Sequence, residues 1–223
     1  MSPTGPTLPR PSAGGTPMSA GSELEQLLEA PLGLRERKKL KTRRAIRAAA
    51  FRLFAEQGYE TTTVDQIAAE AEVSPSTFFR YFPAKEDLVI SDDYDPLLEA
   101  AFRARPRDEP LVESIRQAMI EPLRRILAAE HDDVLLRMRL YREVPSIRAR
   151  ALVGQQESAT MMCGLLAERT GEPADGLRLR AVVSAILAAS SEAVLYWSER
   201  DGREDMADLL SSAISALGDA FGG

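Results

Sequence analysis

The chain has 223 residues, 44% of them hydrophobic and 28% charged, a composition that supports one or two folded domains and excludes wholesale disorder. One cysteine (Cys163) and one histidine (His131) rule out an internal disulfide, a Cys/His zinc set and a Cys–His nucleophile pair. Charged residues break up the hydrophobic stretches and the N-terminus lacks the apolar run of a signal peptide, so the expectation is a soluble, cytoplasmic protein with no membrane segment.

Residues 1–33 read as a flexible extension. Pro3, Pro6, Pro9, Pro11 and Pro17 stand among glycines with almost nothing to bury, and such composition cannot offset ordering entropy. Ser22-Glu23-Leu24-Glu25 has capping-box spacing, predicting a short helix to residue 30 before Pro31 and Gly33 break it. From Leu34 onward the pattern is helical, with stops at Gly58, Pro83, Pro106, Gly171, Gly202 and Gly218. Helices are predicted over 35–57, 64–71, 75–81, 84–92, 96–105, 110–129, 133–144, 146–170, 175–200 and 204–220. Period-two strand patterns are essentially missing, so the fold class is all-α. Pro122 and Pro145 fall within apolar-periodic stretches and are expected to kink or split them.

Charge divides unevenly along the chain. The formal net charge is −6, yet residues 35–90 hold 11 basic and 8 acidic residues, or +3, leaving −9 elsewhere. A basic segment on an acidic protein suits a polyanion partner; a solvated helix face would look the same. Within it, Ile46, Ala50, Leu53 and Phe54 mark one apolar helix face opposite the basic run. Thr63-Val64-Asp65-Gln66 has capping-box spacing ahead of the stripe Val64, Ile67, Ala68 and Ala71. Glu72-Val73-Ser74 then forms a tight connection, with Ser74 as N-cap and Pro75 at the first helical position.

Two short helices so joined make a helix-turn-helix, whose second helix enters the major groove N-terminus first. Ser74, Ser76, Thr77, Arg80, Tyr81 and Lys85 supply the hydroxyls and cations needed to read base edges and hold phosphates. Phe78 and Phe82, four apart, are expected to turn inward, leaving Phe79 outward, where it could pack on a thymine methyl or the sugar backbone.

The stretch Thr42-Arg43-Arg44-Ala45-Ile46, then Ala49 through Tyr59, Thr61 through Ala68, and Val73-Ser74-Pro75-Ser76-Thr77-Phe78-Phe79-Arg80-Tyr81-Phe82-Pro83-Ala84-Lys85-Glu86-Asp87-Leu88 resembles the TetR family of one-component transcriptional regulators. The resemblance covers about a quarter of the chain. It implies phosphate contacts from Thr42, Arg43, Thr63, Tyr81 and Lys85, and base or groove contacts from Ser74, Pro75, Ser76, Thr77, Phe79 and Arg80, all on double-stranded operator DNA. Two positions depart from the family pattern. Glu72 stands where glycine is frequent, at a left-handed cost of about 1–2 kcal/mol, and Arg80-Tyr81 replaces an aromatic–histidine pair. The resemblance therefore implies a DNA-binding domain over 34–90 but no particular operator.

Residues 91–223 carry no comparably specific motif. The resemblance implies a helical ligand-binding and dimerisation domain, a homodimer through the last two helices, and a repressor released by a small-molecule ligand. The stretch 177–197, with Leu179, Val182, Val183, Ile186, Leu187, Val194 and Leu195 among alanines, and the stripe Leu209, Leu210, Ile214, Leu217 and Phe221 are assigned to the dimer face; ordinary internal core is the alternative. Met138, Tyr141, Met162 and Trp197 are candidate ligand contacts for an apolar or amphipathic molecule, since methionine suits adaptable pockets and core gaps alike. Arg137, Arg139 and Arg142 could meet an anionic head or be salt-bridged. Cys163 reads as a small buried hydrophobe. His131-Asp132-Asp133 and Asp92-Asp93-Tyr94-Asp95 resemble metal clusters but fit helix starts better, so neither metal nor cofactor is expected. A constitutive DNA-binding structural protein is the rival reading; an enzyme is disfavoured because no nucleophile, base and orienting group converge.

Overall fold

The computed structural model describes residues 19–29, 32–91 and 94–221. Most of the predicted extension and the Asp92-Asp93 pair lie outside them. Among the described residues ten helices run in order: α1 (Ala20–Glu29), α2 (Leu34–Gln57), α3 (Val64–Glu70), α4 (Pro75–Tyr81), α5 (Asp87–Ile90), α6 (Asp95–Arg103), α7 (Leu111–Glu143), α8 (Pro145–Thr170), α9 (Leu177–Glu199) and α10 (Met206–Phe221). Among the described residues there is no strand.

The starts of α3 and α4 are set locally. Thr63 Oγ1 accepts the Gln66 N–H while Gln66 Oε1 accepts the Thr63 N–H, a complete capping box. Ser74 Oγ accepts the Thr77 N–H at 3.1 Å, with Pro75 behind it. Between them Glu72 sits at φ 53°, so the left-handed turn is made without glycine. Ile46, Ala50, Phe51, Phe54, Ile67, Ala68, Phe78 and Phe82 form one core under α2–α4. Leu140, Val144 and Ile147, from the α7–α8 junction, belong to that same core.

A bundle of α6–α10 encloses a second cluster, including Phe102, Ile115, Cys163, Leu166, Val183, Ile186, Leu210 and Ile214. A third is capped from outside by α1, whose Leu24 and Leu28 are buried with Tyr94, Ile126, Val134, Trp197 and Met206. Thus α1, inside the segment expected to be largely flexible, contributes ordered core.

Several expectations are corrected. The helix expected over 84–92 is a single turn, α5, because the Asp87 carboxylate accepts the Ala84 N–H at 2.9 Å and fixes a turn ahead of it. Asp95 is the first residue of α6 and Tyr94 its N-cap. Pro145 does separate α7 from α8. Within α7, however, the departure from helical angles falls at Glu130 (φ −136°, ψ 32°), eight residues beyond Pro122, so the two helices expected here merge across a break. Glu130 accepts a short hydrogen bond from the Tyr94 hydroxyl and lies 3.5 Å from the Arg44 guanidinium.

Contrary to the expectation that charges interrupt every apolar run, α9 is long and apolar enough to cross a membrane by length and composition. Its buried residues Leu179, Val183, Ile186, Ala193 and Trp197 nevertheless lie against the bundle, and its other face carries Ser184, Ala185 and Glu192 to solvent. That is the division of an amphipathic helix with one face in the bundle and the other open.

Two backbone positions give opposite expectations. Glu72→Gly should stabilise the fold by about 1 kcal/mol, since a left-handed non-glycine residue is strained. Gly202→Ala should destabilise it by about 1–3 kcal/mol, because Gly202 has φ 68° and an added Cβ would lie 3.0 Å from the Trp197 ring. Chemical denaturation of the two variants beside the parent checks both signs.

Candidate nucleic-acid interface and neighbouring cavity

The N-terminal end of α4 presents a compact set of hydroxyls. Ser74 Oγ lies 2.9 Å from Ser76 Oγ and 3.0 Å from Thr77 Oγ1, and Arg80 Nη2 donates to Thr77 Oγ1 at 3.4 Å. Ser74, Pro75, Ser76 and Arg80 are exposed. Phe79 is 51% exposed while Phe78 and Phe82 are fully buried, as their four-residue spacing requires. Thr63 is exposed at the head of α3; half-buried Thr42, whose hydroxyl donates to the Lys38 carbonyl at 3.0 Å, lies on α2. Tyr81 is half-buried with the Arg80 guanidinium 5.5 Å from its ring centre. Serine and threonine hydroxyls can donate to or accept from base edges, and both they and the arginine guanidinium can donate to phosphate oxygens.

Two of the cations assigned to phosphates face inward instead. Arg43 donates from Nη1 to the Tyr81 carbonyl (3.3 Å) and from Nη2 to Ser91 Oγ (2.8 Å), with its guanidinium 4.7 Å from the Phe82 ring centre. Lys85 Nζ donates to the carbonyls of Tyr59 (2.9 Å) and Thr62 (3.0 Å) and sits over the Tyr59 ring. Burial also raises the pKa of the Tyr59 hydroxyl, with the Glu86 charge adding to it. These cations tie α4 and its sequel to α2 and to the loop before α3.

Behind α5 opens a cavity of about 740 Å³, within the range of small-molecule sites. Its apolar lining includes Met138, Tyr141, Met161, Leu187, Val194 and Leu195, and its polar lining includes Arg43, Asp87, Asp95, Arg137, Arg150 and Glu157. Arg150 pairs with Asp87 through Nε (2.9 Å) and Nη2 (3.2 Å); that hydrogen bond and the carboxylate charge raise the guanidinium's pKa. Arg137 Nε donates to the Val89 carbonyl at 2.9 Å.

Of the four ligand contacts expected from sequence, Met138 and Tyr141 line this cavity and Met162 and Trp197 do not. One residue is about 100° of helix, so Met161 faces the cavity while Met162 packs on the bundle core. Trp197 is buried in the third cluster with its indole N–H on the Glu204 carbonyl at 2.9 Å. Arg139 pairs with Asp201 and Arg142 with Glu143, and neither lines the cavity. Sequence reasoning missed Arg150 and Asp87, which are 63 residues apart; the phase of Arg150, Gly154, Glu157 and Met161 on one face of α8 was the available signal. Much of the assigned dimer face is also internal: Leu179, Val183, Ile186, Leu210 and Ile214 are buried in the bundle, because these are the residues that α9 and α10 turn toward it. The Phe221 side chain lies outside the described residues.

Comparison with known proteins agrees with this layout. Residues 46–91 match the family described as bacterial regulatory proteins, tetR family, and residues 109–222 match the MftR C-terminal domain. The HTH-type transcriptional regulator TcmR of Streptomyces glaucescens is 33% identical over 195 residues, covering 83% of this chain and 86% of that one. Among solved structures, Thermus thermophilus FadR, a TetR family repressor in complex with lauroyl-CoA, aligns with a TM-score of 0.53 at 25% identity over 78% of this chain and 92% of its own. TylP, a TetR regulator of Streptomyces fradiae, aligns with a TM-score of 0.51 at 26% identity over 80% and 85%. With its helix-turn-helix and helical bundle matched in one chain and in that order, this protein belongs to the TetR family of transcriptional regulators.

Proposed function

We propose that the protein is a homodimeric repressor, held on a pseudo-palindromic operator by two copies of α4 and released by an apolar or amphipathic effector in the cavity behind α5. The observation that carries the reading is the cavity's lining: Arg43, Asp87, Val89 and Ser91 belong both to it and to the network holding the end of α4. An occupant can therefore act on the recognition helix within one bond of its support. The lauroyl-CoA bound by Thermus thermophilus FadR supports an amphipathic molecule of that general kind. A DNA partner supports a cytoplasmic location. Gly154 lines the cavity, and a side chain added there meets nothing within 4 Å. Gly154→Phe should accordingly fill the space, leave DNA affinity near that of the parent and abolish release by any effector found by screening; anisotropy of a labelled duplex selected from a random library measures both.

On the DNA side, Thr42, Thr63 and Tyr81 contact phosphates, and Ser74, Pro75, Ser76, Thr77, Phe79 and Arg80 approach the groove; Arg43 and Lys85 act by fixing those elements and by lending positive potential. Arg80→Ala should weaken binding to the selected duplex by about 1–3 kcal/mol relative to other sequences and leave the fold as stable as the parent. Lys85→Ala should mainly reduce stability, by about 1.5–3 kcal/mol for a charged hydrogen-bonding group. Competition binding, salt titrations and denaturation curves on the two variants separate the roles; a salt slope lower by about one unit in Lys85→Ala, with its stability unchanged, would return Lys85 to the phosphates.

The dimer forms through the outer faces of α9 and α10, where Ala181, Ser184, Ala185, Ala188, Ser212 and Ala216 are exposed. Small residues let helices approach closely. Ala185→Glu should give folded monomers with no specific DNA binding, whereas Ile186→Glu should unfold the bundle because Ile186 is buried inside it. Sedimentation and circular dichroism distinguish the two; an intact Ala185→Glu dimer would move the interface elsewhere.

A further inference from the structure

Three arginines from three helices line the cavity: Arg43 from α2, Arg137 from α7 and Arg150 from α8. All three hold the stretch from Tyr81 to Ser91, through the Tyr81 carbonyl and Ser91 hydroxyl, the Val89 carbonyl and the Asp87 carboxylate respectively. That stretch has only one helical turn of its own, and these guanidiniums hold its polar side while Phe82, Leu88 and Val89 are buried in the core beneath it. Asp87, Asp95 and Glu157 line the same cavity and balance the three positive charges.

We propose that the effector is an amphiphile with a single oxyanion head, which takes hydrogen bonds from Arg150 and Arg137 while its tail lies along Met161, Leu187 and Val194. The inference rests on the cavity being the effector site and adds the chemical class of the occupant and the way it acts. A carboxylate or sulfonate makes charge-assisted bonds to guanidinium and competes for the groups that grip Asp87 and Val89. A neutral head competes weakly, and a cationic head is drawn to Asp95 and Glu157 and leaves the grip intact. Weakening the grip removes the polar hold of α7 and α8 on α5, and with it part of the support of the end of α4; by linkage, DNA weakens the amphiphile as much as the amphiphile weakens DNA.

The test uses the full-length protein and four ten-carbon probes below their micelle concentrations: decanoate, decanesulfonate, 1-decanol and decylammonium. Calorimetry gives binding, and anisotropy on the selected duplex gives release. Decanoate or decanesulfonate should bind about tenfold or more tighter than the other two, the worth of one charge-assisted hydrogen bond, and should dissociate the duplex; which of the two is preferred identifies the head. Arg150→Gln should bring the favoured anion to within about threefold of 1-decanol. The double variant Asp87→Asn with Arg150→Gln, which leaves no orphaned buried carboxylate, should do the same and serves if the single one does not fold. Asp87→Asn alone should tighten the anion and weaken DNA, opposite signs that a merely structural role for Asp87 would not produce. If 1-decanol binds and releases DNA as well as the anions do, the oxyanion head is wrong and the effector cavity stands. If Gly154→Phe binds the anions as tightly as the parent, the cavity itself is the wrong site. If none of the four probes binds, the assignment of this ligand class is overturned.

Discussion

A helix of seven residues has no stability of its own in water, and α4, which must hold a fixed angle in a DNA groove, is that short. Its support comes from Phe78 and Phe82, both fully buried, and from the Arg43 guanidinium lying over the Phe82 ring while bonding to the last carbonyl of α4. Everything else in the N-terminal half is arranged around that anchor. The long α2 supplies Arg43 and the apolar floor, α3 supplies Ile67 and Ala68, and Lys85 pins the following loop back to Tyr59 and Thr62.

The anchor does not stop at the boundary between the two matched family spans. Leu140, Val144 and Ile147 complete the core under Phe82, Leu88 and Val89, so the DNA-reading unit and the bundle share one apolar interior at the α7–α8 junction. A packed interior resists continuous deformation and favours discrete arrangements. On the proposed mechanism, an occupant of the cavity acts through the exchange of a few polar contacts around the stretch 81–91, since α5 is a single turn and no long rigid helix.

What could be read from sequence was local. The capping box at Thr63, the Ser74-Pro75 start and the inward pair Phe78 and Phe82 each rest on spacings within one or two turns, and each is found in the structure. The failures needed tertiary information. Whether Met161 or Met162 faces the cavity depends on how α8 is rotated, which a run of mixed apolar residues does not specify. Arg43 sits in the basic run of α2 and Lys85 just ahead of Glu86 and Asp87, and both look solvated until partners 38 and 26 residues away are known. Ile186 and Leu210 were indistinguishable from interface residues because a bundle core and a dimer face demand the same residue types. The break in α7 lies at Glu130, which carries no breaker residue and has Tyr94 and Arg44 as partners from α2 and the α5–α6 connection.

The location of the only tryptophan has a practical corollary. Trp197 is 1% exposed, shares its cluster with Leu24 and Leu28 of α1, and meets the edge of His131 across 5.5 Å, yet it is outside the cavity lining. Intrinsic fluorescence thus reports on the seam between the N-terminal helix and the bundle. A red shift on adding a compound would signal that the seam had opened to water, whereas direct occupancy of the cavity alone would leave the emission unchanged.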